Sequence, residues 1–135
     1  MSKYLRLIGK NARKASLKKI NIKVKNNVLK KYILLLSREK DSILKANRKD
    51  VKFALKKGLK NNLVDRLTID QKKLNNIKNS INNIKKLKDP VDNTLEKWSR
   101  PSGLKIKRVS IPIGVIGVIY ESRPNVTSDV ASLCF

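Results

Sequence analysis

The stretch that decides the fold class of this chain is PIGVIGVIYESRPNVTSDVASLCF, residues 112–135. Residues 113–120 are almost entirely apolar, and no polar residue alternates along them. Such a run is typical of a β-strand that is covered on both faces, as in a parallel sheet. A polar turn follows at residues 121–125, and residues 126–135 restart a helical pattern. The stretch therefore predicts a strand–turn–helix unit of an α/β fold.

The residues before this unit predict a hairpin but no further strands. Period-two spacing flanks a turn at residues 101–103. Its positions are Leu95, Lys97 and Ser99 before the turn and Leu104, Ile106, Arg108 and Ser110 after it. A hairpin alone cannot cover both faces of a strand at 113–120, and the sequence stops within a helical pattern. We therefore expect the amino-terminal piece of a larger α/β enzyme. A complete, compact fold of 135 residues is the competing hypothesis.

Apolar residues recur at helical spacing through the first two-thirds of the chain. A short predicted helix follows Asn47 and stops at Gly58, a residue that suits the end of a helix. The clearest predicted helix is capped by Thr68 and ends at Pro90, because proline cannot continue the hydrogen-bond ladder. The predicted helices lie near residues 5–15, 28–43, 50–57, 63–67 and 74–87.

The chain is strongly basic, with 33 Lys and Arg residues against 10 Asp and Glu, a formal net charge of +23. Clustered cations release counterions from phosphates, so this balance raises a nucleic-acid hypothesis. The cations are mostly lysines spread from Lys3 to Arg123, and asparagine and isoleucine are abundant as well. Because lysine, asparagine and isoleucine are enriched together, a compositional drift of the whole proteome explains the positive charge better than a dedicated nucleic-acid surface does. Two alternatives to an enzyme remain open: a basic helical RNA-binding protein, and a helical adaptor that binds a partner protein.

The sequence also indicates the compartment. A single cysteine, Cys134, allows no intramolecular disulfide, which favours a reducing compartment. No apolar run approaches the ~20 residues that span a bilayer. We therefore expect a cytoplasmic protein without a membrane partner. Residues 1–16 are basic and free of acids, so a weak organellar targeting peptide is the alternative.

The motif YESRPNVT at residues 120–127 resembles the start of the cofactor domain in the γ-glutamyl phosphate reductase family, of the aldehyde dehydrogenase superfamily. Weaker matches precede it in the family's order and extend the resemblance over nearly the whole chain. Residues 92–93 depart from the family, which usually has a glycine there. The weaker matches are residues 46–50, 58–59, 63–70, 89–91 and 98–104.

The resemblance implies an aldehyde dehydrogenase-like fold in three regions. Residues 1–90 would form the amino-terminal helical region, and residues 91–111 a hairpin of the oligomerisation type. Residues 112–135 would be the truncated start of the dinucleotide-binding domain.

The resemblance further implies reduction of L-glutamate 5-phosphate to L-glutamate 5-semialdehyde with NADPH and release of phosphate, in proline biosynthesis. It implies a homo-oligomer when complete and functional coupling to glutamate 5-kinase. No metal and no specific nucleic acid are expected. The family's nucleophilic cysteine lies beyond residue 135, so we expect the isolated chain to be inactive.

One catalytic residue can be placed by the resemblance. Asn125 matches the asparagine whose amide donates to the developing oxyanion, although an asparagine before a helix is more often a cap or turn former. Four residues match backbone beside the cofactor: Glu121, Ser122, Arg123 and Pro124. We reject Cys134 as the nucleophile, because its apolar helical run predicts a buried, inert thiol and the chain has no histidine to activate it.

Overall fold

Helices make up most of the first two-thirds of the chain, as the apolar spacing predicts. The structure, a computed structural model, describes residues 2–121 and 123–135. These residues form two units: residues up to Lys19 together with Lys88–Gly117, and Ile20–Leu87 together with Val118–Phe135. The elements in chain order are α1 Lys3–Ser16, α2 Ile22–Arg38, α3 Lys40–Lys56, α4 Asn61–Leu67, α5 Gln71–Lys86, β1 Thr94–Ser99, β2 Lys105–Val109 and α6 Pro124–Cys134.

The core of the second unit lies between α2 and α5. Leu29 of α2 packs with Ile77 and Ile81 of α5, and Ile81 is completely buried. Partly buried residues extend this cluster, among them Tyr32 and Leu36. These positions recur every three or four residues, so each helix presents one apolar face to the other.

The predicted long helix at 28–43 is wrong, because α2 and α3 are separate helices that meet at Glu39. The predicted start of a short helix after Asn47 is also wrong, because Asn47 lies inside α3 and is only 5% exposed. The predicted stop at Gly58 is confirmed: Gly58 has a φ of +73°, and its N–H donates to the carbonyl of Leu55. The N–H of Leu59 donates to the carbonyl of Ala54, which completes a Schellman motif.

The cap of α5 differs from the prediction. Asp70, not Thr68, accepts the N–H of Lys73 at 2.6 Å and begins the helix. The Thr68 hydroxyl instead donates to the carbonyl of Val64 at 2.8 Å, so it serves the end of α4. The helix ends at Lys86, before the predicted stop at Pro90.

The predicted hairpin is confirmed as an antiparallel pair. Trp98 faces Ile106, and the ladder is irregular near Thr94. The turn is closed by the N–H of Arg100, which donates to the carbonyl of Leu104 at 2.9 Å. Among the described residues of β1 and β2, only Ile106 is partly buried.

The predicted strand at 113–120 does not form in this structure. Within the described residues, 110–121 belong to no helix or strand, and Gly114 has a φ of +100°. Their side chains from residue 111 onward are exposed, 87% for Ile113 and 102% for Ile119, where the sequence predicts burial. A buried strand needs neighbouring strands and covering helices, which the described part of the chain does not supply.

The apolar face of α1 is likewise uncovered, with Leu5 and Ile8 about half exposed. None of the helices in the described residues is long and apolar enough to cross a membrane.

Candidate functional site

The start of α6 positions the candidate catalytic residue. Arg123 is extended, with φ −126° and ψ 94°, and Pro124 occupies the first helical position. Proline suits this place because its φ is already helical and its missing N–H would have no partner in the helix. The helix therefore begins two residues earlier than predicted. Asn125 lies in its first turn, not in a preceding loop.

Two hydrogen bonds orient this turn. The Asn125 Nδ2 donates to Oδ2 of Asp129 at 3.0 Å, one turn further along α6. Oη of Tyr120 and Oγ1 of Thr127 lie 2.6 Å apart, which joins the segment before the helix to the helix itself. A primary amide carries two N–H groups, so one N–H of Asn125 is left for a ligand.

The packing of α6 against α5 fixes which face of the helix points away from the core. The buried residues of α6 are Ser128 and Ser132, four apart and therefore on one face. Their hydroxyl groups have no hydrogen-bond partner among the described residues. Small side chains on this face allow α6 to pack closely against α5.

Asn125 lies at the wall of a cleft of about 400 Å³ within the second unit. The cleft reaches from the start of α6 to the segment that joins α4 and α5. On the α6 side its lining residues are Arg123, Pro124, Asn125 and Asp129. On the other side they are Asp65, Arg66, Thr68, Ile69, Lys73, Asn76, Ile77 and Ser80.

The α4–α5 wall of the cleft is held in place by buried and charged side chains. Asn47 donates to the carbonyl of Leu67 at 2.9 Å and accepts the N–H of Ile69 at 2.6 Å. The Lys73 Nζ donates to the carbonyls of Asp65 and Thr68 at 2.6 and 2.8 Å. The wall is therefore braced from α3 and from α5, and the Lys73 ammonium is engaged by these two carbonyls.

The structure brings three of the predicted site residues together: Arg123, Pro124 and Asn125 line one wall of the cleft. Glu121 is exposed and does not line it. Ser122 lies outside the described residues.

Sequence reasoning missed Asp65 and Arg66 as lining residues. One signal could have found them: they are adjacent, oppositely charged residues within the stretch 63–70, which resembles the γ-glutamyl phosphate reductase family.

Cys134 is the last residue of α6 and is exposed, so its predicted burial is wrong. It lies nine residues beyond Asn125, about 13 Å along a helix that rises ~1.5 Å per residue. It does not line the cleft. The described residues also contain no group of His, Cys, Asp or Glu side chains that could hold a metal ion.

No family model matches this chain, but it is similar to many curated proteins named gamma-glutamyl phosphate reductase. The gamma-glutamyl phosphate reductase of Caldanaerobacter subterraneus subsp. tengcongensis is 46% identical over 128 residues, 93% of this chain and 31% of the relative. That of Nautilia profundicola is 44% identical over 116 residues, 86% of this chain and 28% of the relative. The chain thus spans about a third of the length of the curated relatives it matches.

Two solved structures agree with these relatives. The gamma-glutamyl phosphate reductase of Thermotoga maritima superimposes with a TM-score of 0.85 at 41% identity, over 92% of this chain and 30% of the other. That of Saccharomyces cerevisiae gives a TM-score of 0.90 at 32% identity, over 98% of this chain and 34% of the other. The predicted fold class and the resemblance are confirmed.

Proposed function

Because the chain belongs to the γ-glutamyl phosphate reductase family, we propose that it forms the amino-terminal part of the enzyme that reduces L-glutamate 5-phosphate. The product is L-glutamate 5-semialdehyde, the reductant is NADPH and the leaving group is inorganic phosphate. The reaction is a step of proline biosynthesis.

The position of Asn125 carries this proposal. Reduction of an acyl phosphate begins when a nucleophile adds to the carbonyl carbon, which places negative charge on the carbonyl oxygen. Asn125 lies at the cleft wall with one N–H engaged by Asp129 and one N–H left to donate to that oxygen. Collapse of the adduct expels phosphate and leaves an acyl-enzyme, which accepts hydride at the same carbon and releases the aldehyde. The nucleophile is proposed to lie outside this chain.

The residues before α6 are proposed to border the cofactor. Glu121 and Arg123 are exposed, and among the described residues neither side chain has a hydrogen-bond or salt-bridge partner. A free guanidinium can bind a phosphate through two parallel hydrogen bonds, so Arg123 suits a phosphorylated cofactor. Ser122 and Pro124 complete the proposed border. NADPH, when bound, supplies the hydride.

The proposal extends to the assembly. Residues 91–111 are proposed to join subunits of a homo-oligomer, supported by the exposed Trp98 and Leu104 on the hairpin. Residues 1–90 are proposed as the helical region, and residues 112–135 as the start of the dinucleotide-binding domain. Functional coupling to glutamate 5-kinase and a cytoplasmic location belong to the same proposal.

A chimera tests the proposed reaction. In the chimera, residues 1–135 replace the matching third of the Caldanaerobacter relative. The assay runs the reaction in reverse: glutamate 5-semialdehyde reduces NADP⁺ in the presence of phosphate, and the absorbance of the NADPH formed is measured. We expect turnover that requires both phosphate and the aldehyde. A folded chimera that binds NADP⁺ but does not turn over would contradict the proposal.

The net charge of +23 favours one alternative, a basic RNA-binding helical protein. Non-specific binding through phosphate contacts weakens steeply as salt rises, so a basic surface without an RNA function should lose its affinity for RNA near physiological salt. Nanomolar RNA affinity that persists near physiological salt would favour the alternative. Affinity that is lost between low and physiological salt would favour the reductase.

A further inference from the structure

Two free charges of opposite sign line the same cleft as Asn125. Asp65 and Arg66 are adjacent on α4, and both line the cleft. Among the described residues, neither the Asp65 carboxylate nor the Arg66 guanidinium has a hydrogen-bond or ion-pair partner. The backbone carbonyl of Asp65 is bound by Lys73, so the position of this pair is fixed while its charges stay available.

The other charges at the cleft differ in this respect. Lys73 is engaged by two carbonyls, and Asp129 accepts from Asn125. Arg123 lies next to Pro124 and Asn125 at the start of α6, so it belongs to the α6 wall. Asp65 and Arg66 are therefore the pair on the α4 wall that can bind a ligand with one positive and one negative group.

We propose that Asp65 and Arg66 form the subsite for the amino-acid end of the substrate, with Arg66 binding the α-carboxylate and Asp65 the α-ammonium. The inference rests on the proposed function and assigns two residues to the amino-acid end of its substrate. A guanidinium binds a carboxylate through two parallel hydrogen bonds, which fixes its orientation. A carboxylate is acceptor-only when ionised and suits an ammonium with three donors.

The volume of the cleft agrees with a ligand of this size. Its volume of about 400 Å³ is within the ~300–1,000 Å³ of small-molecule sites. In the proposed substrate, three carbon–carbon bonds separate the acyl carbon from the α-carbon. The proposal places the reacting end at Asn125 and the amino-acid end at Asp65 and Arg66, all of which line this cleft. Holding the amino-acid end of the substrate orients the reacting carbon, and this orientation raises the rate of the chemical step.

The test compares three aldehydes in the reverse reaction of the chimera. Glutamate 5-semialdehyde has both α-groups, 4-aminobutanal lacks the carboxylate, and 5-oxopentanoate lacks the ammonium. For the Arg66→Gln variant we expect kcat/KM for glutamate 5-semialdehyde to fall about 10- to 100-fold, as for loss of a hydrogen bond to a charged group. The value for 4-aminobutanal should change less than about 2-fold, because that aldehyde has no carboxylate to lose.

The Asp65→Asn variant should give the complementary result. Its kcat/KM falls for glutamate 5-semialdehyde and for 4-aminobutanal, and stays nearly constant for 5-oxopentanoate. Arg48→Gln and Asp50→Asn are matched controls, because both side chains are exposed on α3 and neither lines the cleft. An equal loss for all three aldehydes, or no loss for any, would overturn the subsite.

Binding of L-glutamate to the chimera provides a readout that does not depend on turnover. Affinity that falls about 10-fold or more in Arg66→Gln, but not in Arg48→Gln, supports the subsite even if the chimera has no activity. In that case the proposed reaction fails and the subsite stands. Turnover of glutamate 5-semialdehyde without any dependence on Asp65 or Arg66 overturns the subsite and leaves the proposed reaction intact.

Discussion

Asn125 donates a 3.0 Å hydrogen bond to Asp129, the residue one helical turn further along α6. This bond holds one N–H of the amide along the helix and leaves the other free at the cleft. We expect Asp129→Ala in the chimera to lower kcat about 2-fold with little change in KM, since such a pair contributes ~0.2–0.5 kcal/mol on a helix. Asp129→Asn keeps an acceptor and should restore most of the loss. Equal kcat for Asp129→Ala and the parent would show that the bond does not position Asn125.

Asn47 is expected to be important for stability. Its buried amide bonds the carbonyl of Leu67 and the N–H of Ile69, so Asn47→Ala leaves both backbone groups without that partner. We expect the chain to lose about 1–3 kcal/mol of unfolding free energy, measured by urea denaturation. Asn79→Ala is the control, because Asn79 is exposed on α5 and should change stability by less than ~0.5 kcal/mol. Similar midpoints for both variants would refute this role of Asn47.

Two glycine substitutions should have opposite effects. Gly58 has a φ of +73°, a conformation that costs a residue with a Cβ ~1–2 kcal/mol, so Gly58→Ala should destabilise the chain. Gly9 lies within α1, and a Cβ there meets nothing within 4 Å. Gly9→Ala should therefore stabilise the chain by ~0.5–1 kcal/mol. Urea midpoints that move in the same direction for both variants would contradict this interpretation.

Local patterns were predictable from the sequence because they depend on neighbouring residues. The hairpin follows from the period-two spacing on either side of residues 101–103, and the stop at Gly58 follows from the need for a positive φ. The boundary at Glu39 was missed because no glycine or proline marks it. Thr68 and Asp70 can both cap a helix, and Asp70 takes that place while the Thr68 hydroxyl bonds the carbonyl of Val64.

Features that depend on tertiary contacts could not be predicted. Burial of Asn47 requires the α4–α5 segment to lie against α3, which periodicity does not show. The cleft walls, at Arg66 and at Asn125, are about 60 residues apart in sequence and meet only because α6 packs against α5. Burial at 113–120 was predicted from composition, but it requires neighbours that the described part of the chain does not contain.

Cys134 should be dispensable. It is exposed at the end of α6 and does not line the cleft, so Cys134→Ser in the chimera should keep kcat/KM within about 2-fold of the parent. Steady-state assay of NADP⁺ reduction measures this directly. A loss of several orders of magnitude, with the variant still folded, would instead make Cys134 the nucleophile.

The central claim is that Asn125 donates to the oxyanion, and the kcat of the Asn125→Ala chimera tests it most directly. Loss of one such donor lowers kcat by about 10²–10³ in other enzymes, and we predict a decrease of that size here. Asn79→Ala, which removes an exposed amide outside the cleft, should leave kcat unchanged. A folded Asn125→Ala chimera with the parent's kcat would contradict the claim.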